Sequence, residues 1–215
     1  MINICGTNLI HREFITFLHQ PILKIPRQFA CLNKTMPKQH YVLLDRDGVI
    51  NHDSDAFIKS PDEWQPIEGS LEAIALLNQH GYQVIVVTNQ SGVARGLLNE
   101  ATLAEIHAKM HRLVGEHGGK ISAVYYCPHG VDSVCECRKP KAGLLKAFAA
   151  DFAADLTDIP VIGDSLRDLE AAEAVGAQPI LVKTGKGQQT LFNNPQLNIL
   201  VFENLYDAAK HITGH

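Results

Sequence analysis

Nothing in this chain is long and apolar enough to span a bilayer, since no run approaches the ~20 residues a crossing helix needs. An excess of basic charge is also missing. Lys and Arg number 19 against 23 Asp and Glu, a formal net charge of -4, which gives no electrostatic case for nucleic acid binding. The cysteines also argue against a secreted disulfide framework. The five cysteines are an odd set, and Cys127, Cys135 and Cys137 crowd into one short segment, a pattern that points to metal in a reducing cytoplasm. Acidic residues are almost absent from positions 1–40, where Glu13 stands alone, and serine is scarce there. That stretch has no clean helical or strand period. It also lacks the basic start, apolar stretch and small-residue cleavage site of a signal peptide. Residues 1–40 are therefore expected to be a poorly ordered N-terminal extension, with Met36 as the natural start, and 41–215 to form one domain.

What is present is ordinary for a globular protein: 46% hydrophobic and 20% charged residues over 215 positions, ample for one core. Apolar runs expected to be strands are Tyr41–Leu44, Gln83–Thr88, Ile121–Tyr126, Ile159–Ile162, Pro179–Lys183 and Ile199–Phe202. Amphipathic stretches lie between them. Leu71, Ile74 and Leu77 mark a helix stopped by Gly81. Leu103, Ile106, Met110 and Leu113 mark another, with Asn99 as N-cap and Gly118-Gly119 beyond it. Leu144, Leu145, Phe148 and Phe152 form a third stripe, and Leu166, Leu169, Ala172 and Val175 a fourth, closed by Gly176. Strand–helix alternation implies an α/β fold with a mostly parallel, doubly wound sheet. Small size and the lack of an obvious exposed apolar helix make a monomer the default expectation.

In such sheets ligands bind beyond the carboxyl ends of the strands. Asp45, Thr88 and Asp164 each fall there. Asp45-Arg46-Asp47-Gly48 follows the first strand. Two carboxylates one residue apart at a strand end repel each other and lose solvation, a strain that Mg²⁺ relieves, while Gly48 permits a sharp turn. Thr88-Asn89-Gln90-Ser91-Gly92 offers a hydroxyl and backbone N–H groups to phosphate oxygens. Lys139, in Cys137-Arg138-Lys139-Pro140, can neutralise a phosphoryl group. Asp164 completes a cation site with Asp45 and Asp47, and Asp168, one helical turn on, acts as an outer partner. Each segment alone also fits a polar turn, a solvated basic patch or a helix cap.

Taken in this order, the four segments resemble the haloacid dehalogenase-like (HAD) phosphohydrolase superfamily over about Tyr41 to Gly187, which makes 41–215 a HAD-like phosphatase domain with a Rossmann-like sheet. The resemblance implies a double displacement. Asp45 attacks phosphorus to give an aspartyl-phosphate. Asp47 protonates the leaving oxygen and then activates water. Mg²⁺ binds the Asp45 carboxylate, the Asp47 backbone carbonyl and Asp164, and Thr88 and Lys139 hold the phosphoryl oxygens.

Cys127, His129, Cys135 and Cys137 form a C-x-H…C-x-C pattern. Three thiolates and one imidazole suit a closed tetrahedral Zn²⁺ site of structural type. It would fix Arg138 and Lys139, which follow the last ligand directly. Cys5 and Cys31 lie outside this pattern.

Positions 45 and 88 are 43 apart, and 88 and 139 are 51 apart. The elements named above use most of both intervals, so no separate cap domain fits. The site is expected to be open, shaped by Asn51–Glu68 and the cysteine-containing loop. Within the superfamily, that loop together with 45–51, 88–96 and 137–140 resembles the D-glycero-D-manno-heptose-1,7-bisphosphate 7-phosphatases, which act in building the heptose precursor of lipopolysaccharide. The resemblance implies that Asp53, Ser54, Asp55 and Ala56, with Thr88, Asn89, Gln90, Ser91, Arg138 and Lys139, contact a phosphorylated sugar. The family's aromatic and glycine are absent from 53–56. Histidinol-phosphate phosphatases look similar. Their cationic amine substrate would call on Asp53, Asp55, Asp62 and Glu63, whereas a bisphosphate favours Arg138 with a second basic contact such as Arg95. A non-catalytic, zinc-stabilised binding module is the third reading, opposed by the complete set Asp45, Asp47, Thr88, Lys139 and Asp164.

Overall fold

The computed structural model describes residues 11–13 and 39–215. The rest of the expected N-terminal extension, with Met36, Cys5 and Cys31, lies outside the described residues. His11–Glu13 form a short strand, β1. It is followed by β2 (His40–Leu44), α1 (Ser70–Gln79), β3 (Tyr82–Asn89), α2 (Glu100–Glu116), β4 (Ile121–Cys127) and α3 (Gly143–Phe152). The chain continues with β5 (Pro160–Gly163), α4 (Leu166–Glu173), β6 (Gln178–Val182), α5 (Gly187–Asn193), β7 (Leu200–Phe202) and α6 (Leu205–Thr213).

The strands form one sheet in the order β1-β4-β3-β2-β5-β6-β7. From β2 to β7 neighbours pair in parallel, and β1 runs antiparallel to β4. Alternate residues feed two separate cores. Val42, Leu44, Val84 and Val86 meet α1, α2 and α6 on one face. Tyr41, Leu43, Ile85 and Val87 meet α3 and α4 on the other. Burial on both faces explains why these strands read as continuous apolar runs.

Order reverses between β2 and β5, paired through Leu43–Val161 and Leu44–Ile162. That crevice at the carboxyl ends is where an open α/β sheet receives its ligand, and it puts Asp45 beside Asp164. No domain is inserted among the described residues: from β2 onward the chain returns from each strand through one helix, so the α/β sheet carries no cap. No described helix is long and apolar enough to cross a membrane.

The expected strands and helices match, with ends shifted by a residue or two. Asn99 caps α2 by accepting the Thr102 N–H at 2.8 Å. α4 is capped by Ser165 rather than Asp164, in a capping box closed by Asp168. α5 and α6 were not expected from the pattern. α6 carries its own signals, since Asn204 accepts the Asp207 N–H at 2.9 Å and Leu205, Ala208 and Ala209 are buried against α1. Asn204→Ala is expected to cost about 1 kcal/mol and to lower Tm by roughly 2–4 °C. A thermal melt indistinguishable from wild type would remove the cap from the account.

Candidate active site

The site begins with the close approach of two loops behind β2 and β5. Gly48 has φ +85, and a Cβ there would run into the Asp164 carboxylate. Gly185 (φ +55) closes on the same carboxylate from the other side. Asp164 is thereby packed against backbone, accepting the Lys186 N–H at 2.8 Å. Only glycine allows both the left-handed turn and the approach.

Asp45, Asp164 and Asp168 offer carboxylate oxygens that all lie within 4.8 Å of one another. Burial pushes Asp45 up to about 6, with Lys139 opposing and Asp168 and Asp47 adding to the rise. Burial also pushes Asp164 up to about 7, helped by Asp45 and Asp168. Asp168 stays below the usual range: burial works against it, but Lys139 and Ser165 outweigh that. Lys139 Nζ lies 3.1 Å from Asp45 Oδ1 and 2.5 Å from Asp168 Oδ1, and it donates to the Val87 carbonyl at 2.7 Å. One ammonium thus serves two of the three acids and leaves Asp164 without a cation among the described residues. A buried, hard-oxygen donor set short of positive charge fits Mg²⁺.

The Asp47 carboxylate is not part of that cluster. It accepts from Arg46 Nη2 at 2.9 Å, Asn51 Nδ2 at 2.9 Å and Gln90 Nε2 at 2.8 Å. Burial raises its pKa, but Arg46, Asn51 and Gln90 more than reverse this and hold it below the usual carboxylate range. The side chain is therefore spoken for, which leaves the backbone carbonyl as the group Asp47 can offer a cation.

A cavity of about 270 Å³ lies above. Its wall includes Asp45, Asp47, Asp53, Ser54, Asp55, Thr88, Asn89, Gln90, Ser91, Arg138 and Asp164. Lys139 is almost fully buried at 3% exposure. Ala56 is not in the wall. Phe57 is, with a left-handed backbone (φ 64) and the Arg95 guanidinium 5.5 Å from its ring centroid. The site thus has an aromatic just past the 53–56 stretch that lacks one. The Asn89 amide is spent on the Lys139 backbone, donating to its carbonyl and accepting its N–H, both at 3.1 Å. A larger hollow of about 570 Å³ lies at the opposite end of the sheet, by Gln39 and Pro160, away from all four motifs.

Charge at the mouth was only partly legible. Lys186 pairs with Asp53 at 3.0 Å and Asp55 at 3.6 Å, and Glu63 pairs with Lys59 at 3.4 Å. Asp62 is outside the wall. Arg95, Arg138 and Arg167 all line it, none with a carboxylate partner within 4.0 Å among the described residues. Burial, Arg167 and Arg95 hold the Arg138 pKa below its usual value. Lys186 and Arg167 escaped the sequence reading. Extending the strand-end rule to β6 would have found Lys186, and Arg167 lies inside a motif read only for its acids.

Cys127, His129, Cys135 and Cys137 bring their ligand atoms within 4.8 Å of one another. Cys137 Sγ is 3.2 Å from both Cys127 Sγ and His129 Nδ1, and Cys127 Sγ is 3.9 Å from Cys135 Sγ. The 3.9 Å spacing is close to the ~3.8 Å edge of a tetrahedron with ~2.3 Å metal–sulfur bonds, and the 3.2 Å spacings are shorter than that edge. Burial pushes the Cys127 and Cys137 thiols up, while the backbone N–H of Arg138 helps to bring Cys135 down against its burial. The four residues are a potential metal site, and the last of them fixes the start of Arg138-Lys139.

Residues 42–167 match the family described as polynucleotide kinase 3 phosphatase, and residues 136–208 the HAD-hydrolase-like family. Among curated proteins, the chain is 52% identical over 171 residues to the D-glycero-beta-D-manno-heptose-1,7-bisphosphate 7-phosphatase of Pseudomonas putida, covering 80% of this chain and 98% of the relative. It is 49% identical over 175 residues to that of Neisseria meningitidis, covering 80% and 93%. The crystal structure of D,D-heptose 1,7-bisphosphate phosphatase from B. bronchiseptica, complexed with magnesium and phosphate, aligns with a TM-score of 0.80 at 48% identity. That alignment covers 81% of this chain and 98% of that one.

The raised acids carry a pH signature. Asp45 and Asp164 bind protons more tightly folded than unfolded, so the metal-free protein loses stability as pH rises from their ordinary 3.8 to about 7. A divalent cation offsets that loss. The rise in Tm on adding Mg²⁺ is expected to be larger near pH ~7.5 than near pH ~5, and equal rises at both would contradict the donor set.

Proposed function

The chain belongs to the HAD-superfamily phosphatases and, within them, to the D-glycero-D-manno-heptose-1,7-bisphosphate 7-phosphatase family, and from that premise we propose how its own residues remove the 7-phosphate through an aspartyl-phosphate. The observation that carries this reading is the buried cluster of Asp45, Asp164, Asp168 and Lys139 at the switch point of the sheet. The reaction supplies the heptose precursor of the lipopolysaccharide core, and the β anomer named for the relatives is the one we assign here.

Asp45 Oδ1 accepts from Lys139 and from the Arg46 N–H at 2.7 Å, while Oδ2 takes no hydrogen bond among the described residues. Oδ2 is the attacking atom. It forms the bond to phosphorus as the bond from phosphorus to the C7 oxygen breaks, and Asp47, which takes up a proton as the anionic phosphate arriving beside it raises its pKa, gives that oxygen its proton. In the second half Asp47 takes a proton from water, the water oxygen bonds to phosphorus, and the Asp45–phosphorus bond breaks to release phosphate. Thr88 and Lys139 hold the phosphoryl oxygens throughout. Asn89 contributes by fixing the Lys139 backbone, and Ser91 by lining the phosphate end. Mg²⁺, when bound by Asp45, Asp164 and the Asp47 carbonyl, neutralises charge on the transferring group.

The mouth favours a second phosphate over a cationic amine. Of the acids an amine would call on, Asp53 and Asp55 share Lys186, Glu63 pairs with Lys59 and Asp62 lies outside the wall, whereas Arg95, Arg138 and Arg167 keep their charge for a ligand. Arg138 contacts the 1-phosphate, with Arg167 beside it, and Phe57 with Asp53 and Ser54 borders the sugar. The four-residue cysteine–histidine cluster holds structural Zn²⁺, since four protein ligands leave no open position for substrate.

Asp45→Asn is expected to abolish Mg²⁺-dependent phosphate release. The heptose bisphosphate should exceed histidinol phosphate in kcat/KM by about a hundredfold, or ~2.7 kcal/mol, with Arg138→Ala eroding that ratio. Parity between the two substrates would point to histidinol-phosphate phosphatase. For the cluster, Cys135→Ser is expected to lose the roughly one equivalent of zinc measured by elemental analysis and to lower Tm. Full stability without zinc would remove the structural role.

A further inference from the structure

Arg46 is completely buried, and taking a guanidinium out of water costs several kcal/mol unless its donors are matched. The matches are specific. Nε and Nη2 donate to Asp47 Oδ1 at 3.1 and 2.9 Å, and Nη2 also reaches Oδ2 at 2.9 Å and Gln90 Oε1 at 3.0 Å. Nη1 meets His107 Nε2 at 3.2 Å. Gln90 in turn donates from Nε2 to Asp47 Oδ2 at 2.8 Å and to Thr88 Oγ at 3.0 Å. His107 comes from α2, where its neighbours on the buried stripe are Leu103, Ile106, Met110 and Val114. An apolar residue would suit that stripe. Arginine has no lone pair to offer, so His107 Nε2 must be the acceptor, which makes the ring neutral with its proton on Nδ1.

We propose that Arg46, Gln90 and His107 form a clamp that aims the Asp47 carboxylate for proton transfer, with His107 as its remote positioning residue. This rests on Asp47 being the acid and base of the reaction. A carboxylate touched by one guanidinium at both oxygens has its plane set by that guanidinium. The guanidinium has its own plane set at the far end by the imidazole. Gln90 ties the same carboxylate to Thr88, so the proton donor and the phosphoryl-holding hydroxyl keep a fixed relation. Removing the His107 acceptor leaves Nη1 unpaired in a dry interior, and Arg46 then turns to find another partner, taking Asp47 with it.

The test measures kcat/KM, which reports events up to leaving-group expulsion, for heptose bisphosphate and for p-nitrophenyl phosphate, with a thermal melt of each variant. p-Nitrophenolate departs without a proton, so misaiming the acid spares it. His107→Leu is expected to lose about 10- to 100-fold on the sugar bisphosphate and about tenfold less than that on p-nitrophenyl phosphate. His107→Gln, whose amide oxygen can accept from Arg46, recovers most of the difference. If His107→Leu does not fold, His107→Asn is read in the same way. Equal losses on both substrates, or no loss, overturn the clamp. Asp47→Asn should show the same leaving-group signature more strongly. If it lacks the signature, the role of Asp47 falls and the clamp with it. If it shows the signature and the His107 variants do not, the clamp alone is overturned.

Discussion

Three carboxylates and one ammonium buried at a single point govern this molecule. Lys139 lies between Asp45 and Asp168 and is almost entirely out of water. It pairs with two of the acids and leaves the third, Asp164, without a cation among the described residues. The imbalance is the working condition of the site: with all three acids ionised the cluster is two positive charges short, and a divalent cation supplies what is lacking. Had the chain placed two more lysines there, the cluster would be satisfied and the need for a cation lost.

Much of the surrounding structure serves to keep Lys139 where it is. Asn89 grips its backbone from β3, Asp168 receives its side chain from α4, and Cys137 fixes the chain two residues before it. Arg138 shares that anchoring, so a loop with little regular structure holds both a phosphoryl contact and a candidate contact for the far end of the substrate. The two are adjacent in sequence and differ in setting: Lys139 is sealed beneath the site, whereas Arg138 is half-buried among other guanidinium groups.

The parallel sheet was legible because its strands are buried on both faces and so read as unbroken apolar runs. Asp45, Thr88 and Asp164 were legible because polar residues at successive strand ends have no packing explanation, and Lys139 because a basic residue completes that set for a phosphoryl group. Other residues were hidden for physical reasons. His107 sits on an amphipathic helix at a position where the stripe predicts a hydrophobe, and its contact with Arg46 arises only from the three-dimensional approach of the two elements. Arg46 lies between two acids and was given no role from the sequence, yet it is wholly interior. Phe57 follows the stretch expected to contact substrate by one residue, and a left-handed turn brings it into the wall in place of Ala56. Helix α6 was passed over because two of its buried residues are small alanines, which give a weak periodic signal.

Both outer strands, β1 and β7, are three residues long. β1 pairs antiparallel with Val124–Tyr126 of β4, a seven-residue run with an almost wholly buried side-chain pattern. An open edge of that length and composition is a template on which a second chain can add a strand. Covering it with a short antiparallel segment, and ending the other side in a strand equally short, leaves little unpaired backbone for such growth. Removing residues 1–35 would strip that cover and leave the phosphoryl machinery in place, so self-association, rather than lost chemistry, is the hazard that trimming the chain to Met36 would introduce.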